Sequence, residues 1–119
     1  MTPPFFAAFA ILSAALKARE IVTVPSPHSI ADGLLPSRLG ELTFRACIKN
    51  VDGAFTASEG EILGATGAMA NEAKIIAEPS GAAPLAPLLY HPAAVSGKRV
   101  VVVVSGGNIS QALLKQILA

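Results

Sequence analysis

The stretch Arg99–Ser110, RVVVVVSGGNIS, sets a hydroxyl, two glycines and an amide side chain directly after five valines. A continuous β-branched run of this kind reads as a buried strand over Val100–Val104. In open α/β sheets, ligands bind beyond the carboxyl ends of the strands. Ser105 stands at such an end. Gly106 and Gly107 carry no Cβ, so their backbone can lie close to a flat or charged group. A final helix over Ile109–Leu118 offers free N–H groups where it begins. The unit suits a ligand with one hydrogen-bonding edge. The same residues also make a tight strand-to-helix turn with no ligand, and the motif alone leaves both open.

Other chemistry-bearing residues are sparse. Cys47 is the one cysteine, so no internal disulfide and no thiol metal site can form. It reads as a buried structural thiol in a reducing compartment, which makes a cytoplasmic location the expectation. His28 and His91 stand apart from any cysteine or carboxylate cluster, so surface roles are expected and no metal site. The net charge is +1, and the lysines (17, 49, 74, 98 and 115) form no run and are not interleaved with aromatics. No nucleic-acid partner is expected from that pattern.

The elements that must position these residues can be read along the 119-residue chain. With 52% hydrophobic and 14% charged residues, it is globular and of single-domain size. PPFFAAFAILSAAL is apolar, but no positive charge precedes it and no small-x-small cleavage site follows before Lys17. It is too short to span a bilayer. A helix over Phe5–Ala18, apolar nearly all round and covered on several sides, is the expectation.

Short strands are expected at Ile21–Val24, in GAFTA (54–57 and Gly53) and at Arg99–Val104, and KIIAEP (74–79) reads as a short strand or an extended segment. ELTFRACIKN reads as a short helix. Ser58 and Glu61 fit a capping box, with a helix to about Ala73 weakened by Gly60, Gly64 and Gly67. Ser80 is expected to cap a further helix, in which Pro84 is tolerated and Pro87 is a break. Strands alternating with helices give an α/β architecture with three or four short strands. Their apolar faces exceed what this chain can cover, which suggests one partial domain, residues 1–119.

Five segments together resemble a known family. VPSPHSIADGL (Val24–Leu34), GELTF (Gly40–Phe44), SEGEI (Ser58–Ile62), AEPSGAAPLAPLL (Ala77–Leu89) and SGGN (Ser105–Asn108) occur in the order and spacing of the fold type II pyridoxal-phosphate enzymes. The likeness is to their serine/threonine dehydratase (threonine ammonia-lyase) and serine racemase group, and it runs from about Ala14 to the end. It implies the C-terminal part of the large domain of the tryptophan synthase beta-like fold. It also implies pyridoxal 5'-phosphate as cofactor and a small amino acid as substrate. The reaction implied is β-elimination of a hydroxy amino acid to a 2-oxo acid and ammonia.

By that resemblance Ser105, Gly106, Gly107 and Asn108 line the cofactor, with the Ser105 hydroxyl on the pyridine nitrogen. A hydroxyl can donate to an unprotonated ring nitrogen, whereas a carboxylate would hold the ring protonated and make it a stronger electron sink. Glu78 sits where the family brings an acidic residue near the ring. It reads equally as a helix-entry carboxylate beside free N–H groups. Asp32 and Gly33 match a loop on the active-site side and also read as a simple Asp-Gly turn.

The family's Schiff-base lysine, in a Ser-x-Lys-x-Arg-type context, has no match among the five lysines. Its glycine-rich phosphate loop and its Ser-x-Gly-Asn-His segment have none either. No catalytic residue is therefore expected here, and the chain alone is expected not to carry out the elimination. Pro84 and Pro87 depart from a helix that the family fills with alanine and leucine. Ala18 stands near a usual glycine. The resemblance is expected to be to the short, unregulated dehydratases, without a regulatory amino-acid-binding domain after the last helix.

The expected partners are the missing N-terminal half of the enzyme, or further copies of this chain through an exposed apolar face. A non-catalytic, self-associating remnant is the alternative. A free-standing anion-binding domain built on the SGGN turn is a third reading.

Overall fold

A computed structural model describes residues 6–8, 10–25 and 28–119. Two three-residue strands, β1 (Phe6–Ala8) and β2 (Gly53–Phe55), pair in parallel with Phe6 opposite Gly53 and Ala8 opposite Phe55. A parallel pair needs a crossover. Here the connection contains helix α1 (Ala10–Ala18), a long loop and helix α2 (Glu41–Asn50). The helix expected over Phe5–Ala18 therefore starts only at Ala10. Residues 6–8 pair with β2 instead, a tertiary partner outweighing local helix propensity.

Helix α1 buries Ile11, Leu12 and Ala15 against Leu39, with Phe44, Cys47, Val51 and Ala54 packed around them. Its cover is one-sided, because Lys17 and Ala18 are exposed. Arg19 ends it in the left-handed region at φ 57°. Cys47 is half-buried at the edge of this cluster rather than fully enclosed.

Helix α3 (Glu59–Asn71) begins as its sequence dictates. The Ser58 hydroxyl accepts from the Glu61 amide at 3.3 Å, and the Glu61 carboxylate accepts from the Ser58 amide at 2.8 Å. Ile62, Ala65, Thr66, Met69 and Ala70 form its buried stripe, at helical spacing. Two of its glycines have packing roles: a Cβ at Gly64 would come within 3.0 Å of Tyr90 Cζ, and one at Gly67 would touch Ile117.

The segment after Glu78 is not one helix. It runs as α4 (Pro79–Ala82), a 3-10 turn (Ala83–Leu85) and α5 (Ala86–Tyr90), with a proline in the first turn of each piece. Proline is accepted in a first turn, where its missing N–H is not needed, and excluded from an interior. Pro87 therefore breaks the helix as expected, and Pro84 also starts a new piece. Ser80 is not the cap. Glu78 occupies that position without a side-chain hydrogen bond. Helix α6 (Gln111–Leu118) closes the chain, capped by the Ser110 hydroxyl accepting from the Leu113 amide at 3.2 Å.

The strands expected at Ile21–Val24 and Arg99–Val104 do not form among the described residues, and KIIAEP takes the unpaired alternative. Residues 21–24, 74–78 and 99–104 follow non-helical paths without sheet partners. The valine run is also not buried: Val101 is 91% and Val103 69% exposed, while Val102 and Val104 are half-buried. A strand is defined by the backbone ladder it shares with a neighbour, and among the described residues none shares a ladder with this segment. The buried clusters are small and rich in alanine. Thr66 is the largest side chain below 2% exposure among the described residues.

Candidate functional site

The Ser105–Asn108 turn is exposed throughout, and Gly106 adopts φ 73°. That left-handed conformation is open to glycine and strained for most other residues. Three close approaches fix the turn against the 76–82 segment. A Cβ on Gly106 would fall 2.6 Å from Glu78 Cδ, so the carboxylate stem lies across this glycine. A Cβ on Gly81 would fall 2.7 Å from the Ser105 carbonyl carbon, so α4 rests directly on the Ser105 backbone. A Cβ on Gly107 would lie 3.3 Å from the Ile76 carbonyl oxygen. Below the turn, Val104 packs against Met69, Ala77 and Ala82.

On its other flank, α4 holds the loop that contains Asp32 and Gly33. The Gly33 amide donates to the Ser80 hydroxyl at 2.9 Å. The Glu59 carboxylate, in the first turn of α3, accepts from the Ser29 hydroxyl and, at 2.8 Å, from the Ile30 amide. Asp32 begins a 3-10 turn (Asp32–Leu34) and is exposed. Segments far apart in sequence thus form one wall: the 29–34 loop, then Glu78–Gly81, then Ser105–Gly107. Glu59 and Gly81 were not singled out by the sequence. Ser80 was read as a cap, and nothing about Gly81 alone marks it as a contact.

His91 is about half exposed and pairs with Glu61, Nε2 to Oε1 at 2.9 Å. The Glu61 carboxyl is held below the usual glutamate range. The Ser58 amide contributes most to this, the His91 charge adds to it, and partial desolvation opposes both. This pair ties the end of α5 to the start of α3. Among the described residues no group of three or more His, Cys, Asp or Glu side chains is placed to hold a metal ion. No helix among them is long and apolar enough to cross a membrane.

The site is thus a Ser-Gly-Gly-Asn turn seated on a short helix within a mixed α/β layout. The family model described as "Pyridoxal-phosphate dependent enzyme" matches residues 6–106, and the chain belongs to that family. It is 42% identical over 93 residues to the β-hydroxyaspartate dehydratase of Paracoccus denitrificans, covering 78% of this chain and 29% of that one. It is 34% identical over 98 residues to a biosynthetic L-threonine dehydratase of Staphylococcus aureus, covering 82% of this chain and 23% of that one. The structure of maize serine racemase superimposes with a TM-score of 0.84 at 30% identity, covering 97% of this chain and 39% of that one. The chain thus spans well under half the length of each of these relatives. Pyridoxal phosphate is the cofactor that membership of this family implies for the full enzyme.

Proposed function

We propose that this chain is the C-terminal part of the large domain of a pyridoxal-phosphate-dependent serine/threonine dehydratase, working in the cytoplasm as one partial domain. The observation that carries this reading is the convergence of Glu78, Gly81 and Ser105–Gly107. Segments about 25 residues apart meet where the Glu78 side chain crosses Gly106 and the Ser105 backbone lies against Gly81, both too close to admit a Cβ, leaving the Ser105–Asn108 turn open to solvent.

The residues present suit one edge of the cofactor. The Ser105 hydroxyl would hold the pyridine nitrogen, the Gly106–Gly107 backbone and Asn108 would border the ring, and Glu78 would set the charge beside it. When bound, the cofactor supplies an electron sink for loss of the α-proton and departure of a β-hydroxyl. A hydroxyl donor at the ring nitrogen keeps that sink moderate, which suits elimination. The substrate class that fits is a small β-hydroxy amino acid, released as a 2-oxo acid and ammonia.

This chain offers no lysine in the required context and no phosphate loop. Catalysis therefore belongs to an assembly that contains both parts. The test is to combine the chain with a polypeptide carrying the lysine and glycine-loop motifs, then record the cofactor spectrum and 2-oxo acid release from serine and threonine. Turnover by the pair and none by either alone is expected. A pair that assembles yet neither binds the cofactor nor turns over would overturn the reading.

The exposed valines favour a second reading, a non-catalytic remnant that associates with itself. Light scattering separates the two: a concentration-dependent mass with no cofactor affinity supports the remnant.

A further inference from the structure

We propose that Ser80 is a positioning residue, and that Ser80–Gly81 acts as a two-sided clip holding the 29–34 loop and the Ser105–Gly107 turn in one fixed relation. The inference rests on the reading above for the ligand that this wall serves, and adds how the wall keeps its shape.

One side of the clip is a hydrogen bond. The Gly33 amide donates to the Ser80 hydroxyl at 2.9 Å. A Cβ on Gly33 would lie 3.0 Å from Ser80 Oγ and 3.1 Å from Ser80 Cβ, so the loop approaches about as closely as a glycine allows. The other hydrogen bonds of the 32–34 turn are local, from the Leu34 amide to the Ala31 carbonyl and from the Leu35 amide to the Asp32 carbonyl. Among the described residues, no hydrogen bond besides that to Ser80 ties residues 32–34 to another segment.

The other side is backbone packing. Neighbouring residues in a helix point about 100° apart, so positions 80 and 81 face different segments. A Cβ on Gly81 would fall 2.7 Å from the Ser105 carbonyl carbon. The piece that carries both contacts is stiff. Proline at position 79 fixes its own φ. Pro79, Gly81 and Ala82 are buried, and the Ala82 amide donates to the Glu78 carbonyl at 3.0 Å. Close packing transmits a displacement instead of absorbing it. A shift of Gly33 is therefore felt at Ser105 through two adjacent residues.

The upstream end of the loop has a separate anchor. The Ser29 hydroxyl and the Ile30 amide donate to the Glu59 carboxylate, and the Ala31 amide donates to Ser29 Oγ at 3.0 Å. Ala31 is fully buried beside Ile62 and Ala83. Loss of the Ser80 hydroxyl thus moves the 32–34 turn without releasing the loop. Glu59 keeps the loop in place, and Ser80 sets where Gly33 stands relative to the Ser105 turn.

The test compares Ser80→Ala, Ser80→Thr and Glu59→Ala in the full 119-residue chain, by amide NMR spectra and hydrogen exchange. In Ser80→Ala, exchange at Gly33 should quicken by roughly three- to tenfold, the change expected for one net hydrogen bond. The Ser105–Gly107 amide resonances should shift with it. Ser80→Thr keeps a hydroxyl and should restore both. Glu59→Ala should quicken Ile30 and leave Ser105–Gly107 where they are. The same variants, paired with the lysine-bearing polypeptide, are read by cofactor absorption and by KM and kcat. There Ser80→Ala should shift the absorption and raise KM by more than it lowers kcat, with threonine restoring the parent values. Unmoved Ser105–Gly107 resonances in Ser80→Ala overturn the proposal. So does a shift of equal size in Glu59→Ala, which would mean general loosening, or a failure of threonine to restore the spectra. Coupling in the chain with no cofactor bound by the pair sinks the catalytic reading and leaves the clip standing. A cofactor-binding pair without coupling does the reverse.

Discussion

The Glu78 side chain lies across the α-carbon of Gly106, with Cδ 2.6 Å from where a Cβ would stand, and Gly106 itself sits at φ 73°. The contact joins the EPSG and SGGN segments. It also makes Gly106 intolerant of a side chain for two separable reasons.

Gly106→Ala should be destabilising by about 1–2 kcal/mol from the left-handed backbone alone, with a steric contribution from Glu78 added to it. Glu78→Ala in the same chain should recover the steric part and leave the backbone part. Urea unfolding of the two single variants and the double variant measures both. Strict additivity of the two substitutions would show that the contact carries no energy.

Gly81→Ala pits two effects against each other. Alanine favours a helix over glycine by up to about 1 kcal/mol. Its Cβ would meet the Ser105 backbone, which cannot swing aside as a flexible side chain can, and overpacking of this kind costs about 1–3 kcal/mol. Net destabilisation is expected, together with faster amide exchange at Ser105–Gly107. A variant as stable as the parent would mean that the turn shifts freely.

The Ser58–Glu61 cap gives a pH dependence with a definite sign. The carboxyl of Glu61 is depressed in the folded state, by the Ser58 amide first and the His91 charge after it. Its contribution is therefore present above the unfolded carboxylate range and is lost as pH falls through the depressed folded value. The stability advantage of the parent over Glu61→Gln should shrink as pH drops from 6 to 3, read by thermal unfolding. Ser58→Ala should cost about 1 kcal/mol at neutral pH.

Ser105→Ala, made in the completed enzyme, should lower turnover and loosen the cofactor while leaving the lysine adduct intact. Unchanged kinetics would remove Ser105 from the site. Ser105→Asp should alter both the cofactor absorption and the reaction specificity, and an unaltered spectrum would count against a contact with the ring nitrogen.

Local signals were legible where the physics is local. The Ser58–Glu61 box appears as written because both partners lie within one turn. Pro87 marks a break, with a new helical piece beginning around it, because its ring and missing N–H act on its own neighbours. The family resemblance was readable because five short segments keep their order. The valine run misled, because among the described residues nothing pairs with its backbone and Val101 and Val103 face solvent. Ile21–Val24 likewise has no sheet partner among the described residues. The strand at Phe6–Ala8 was missed because its apolar, alanine-rich sequence favours a helix until β2 supplies a partner.

By itself, the sequence determined the helix start at Ser58, the break at Pro87, the family, and Ser105–Asn108 with Glu78 as residues to watch. Each of these follows from residue type and short-range spacing. Only the tertiary structure decided that Glu78 crosses Gly106, that Gly81 seats Ser105, that Ser80 holds Gly33 instead of capping a helix, and that the valines face solvent. Those outcomes depend on which distant backbones approach each other, and a one-dimensional pattern of polar and apolar residues does not encode the partner.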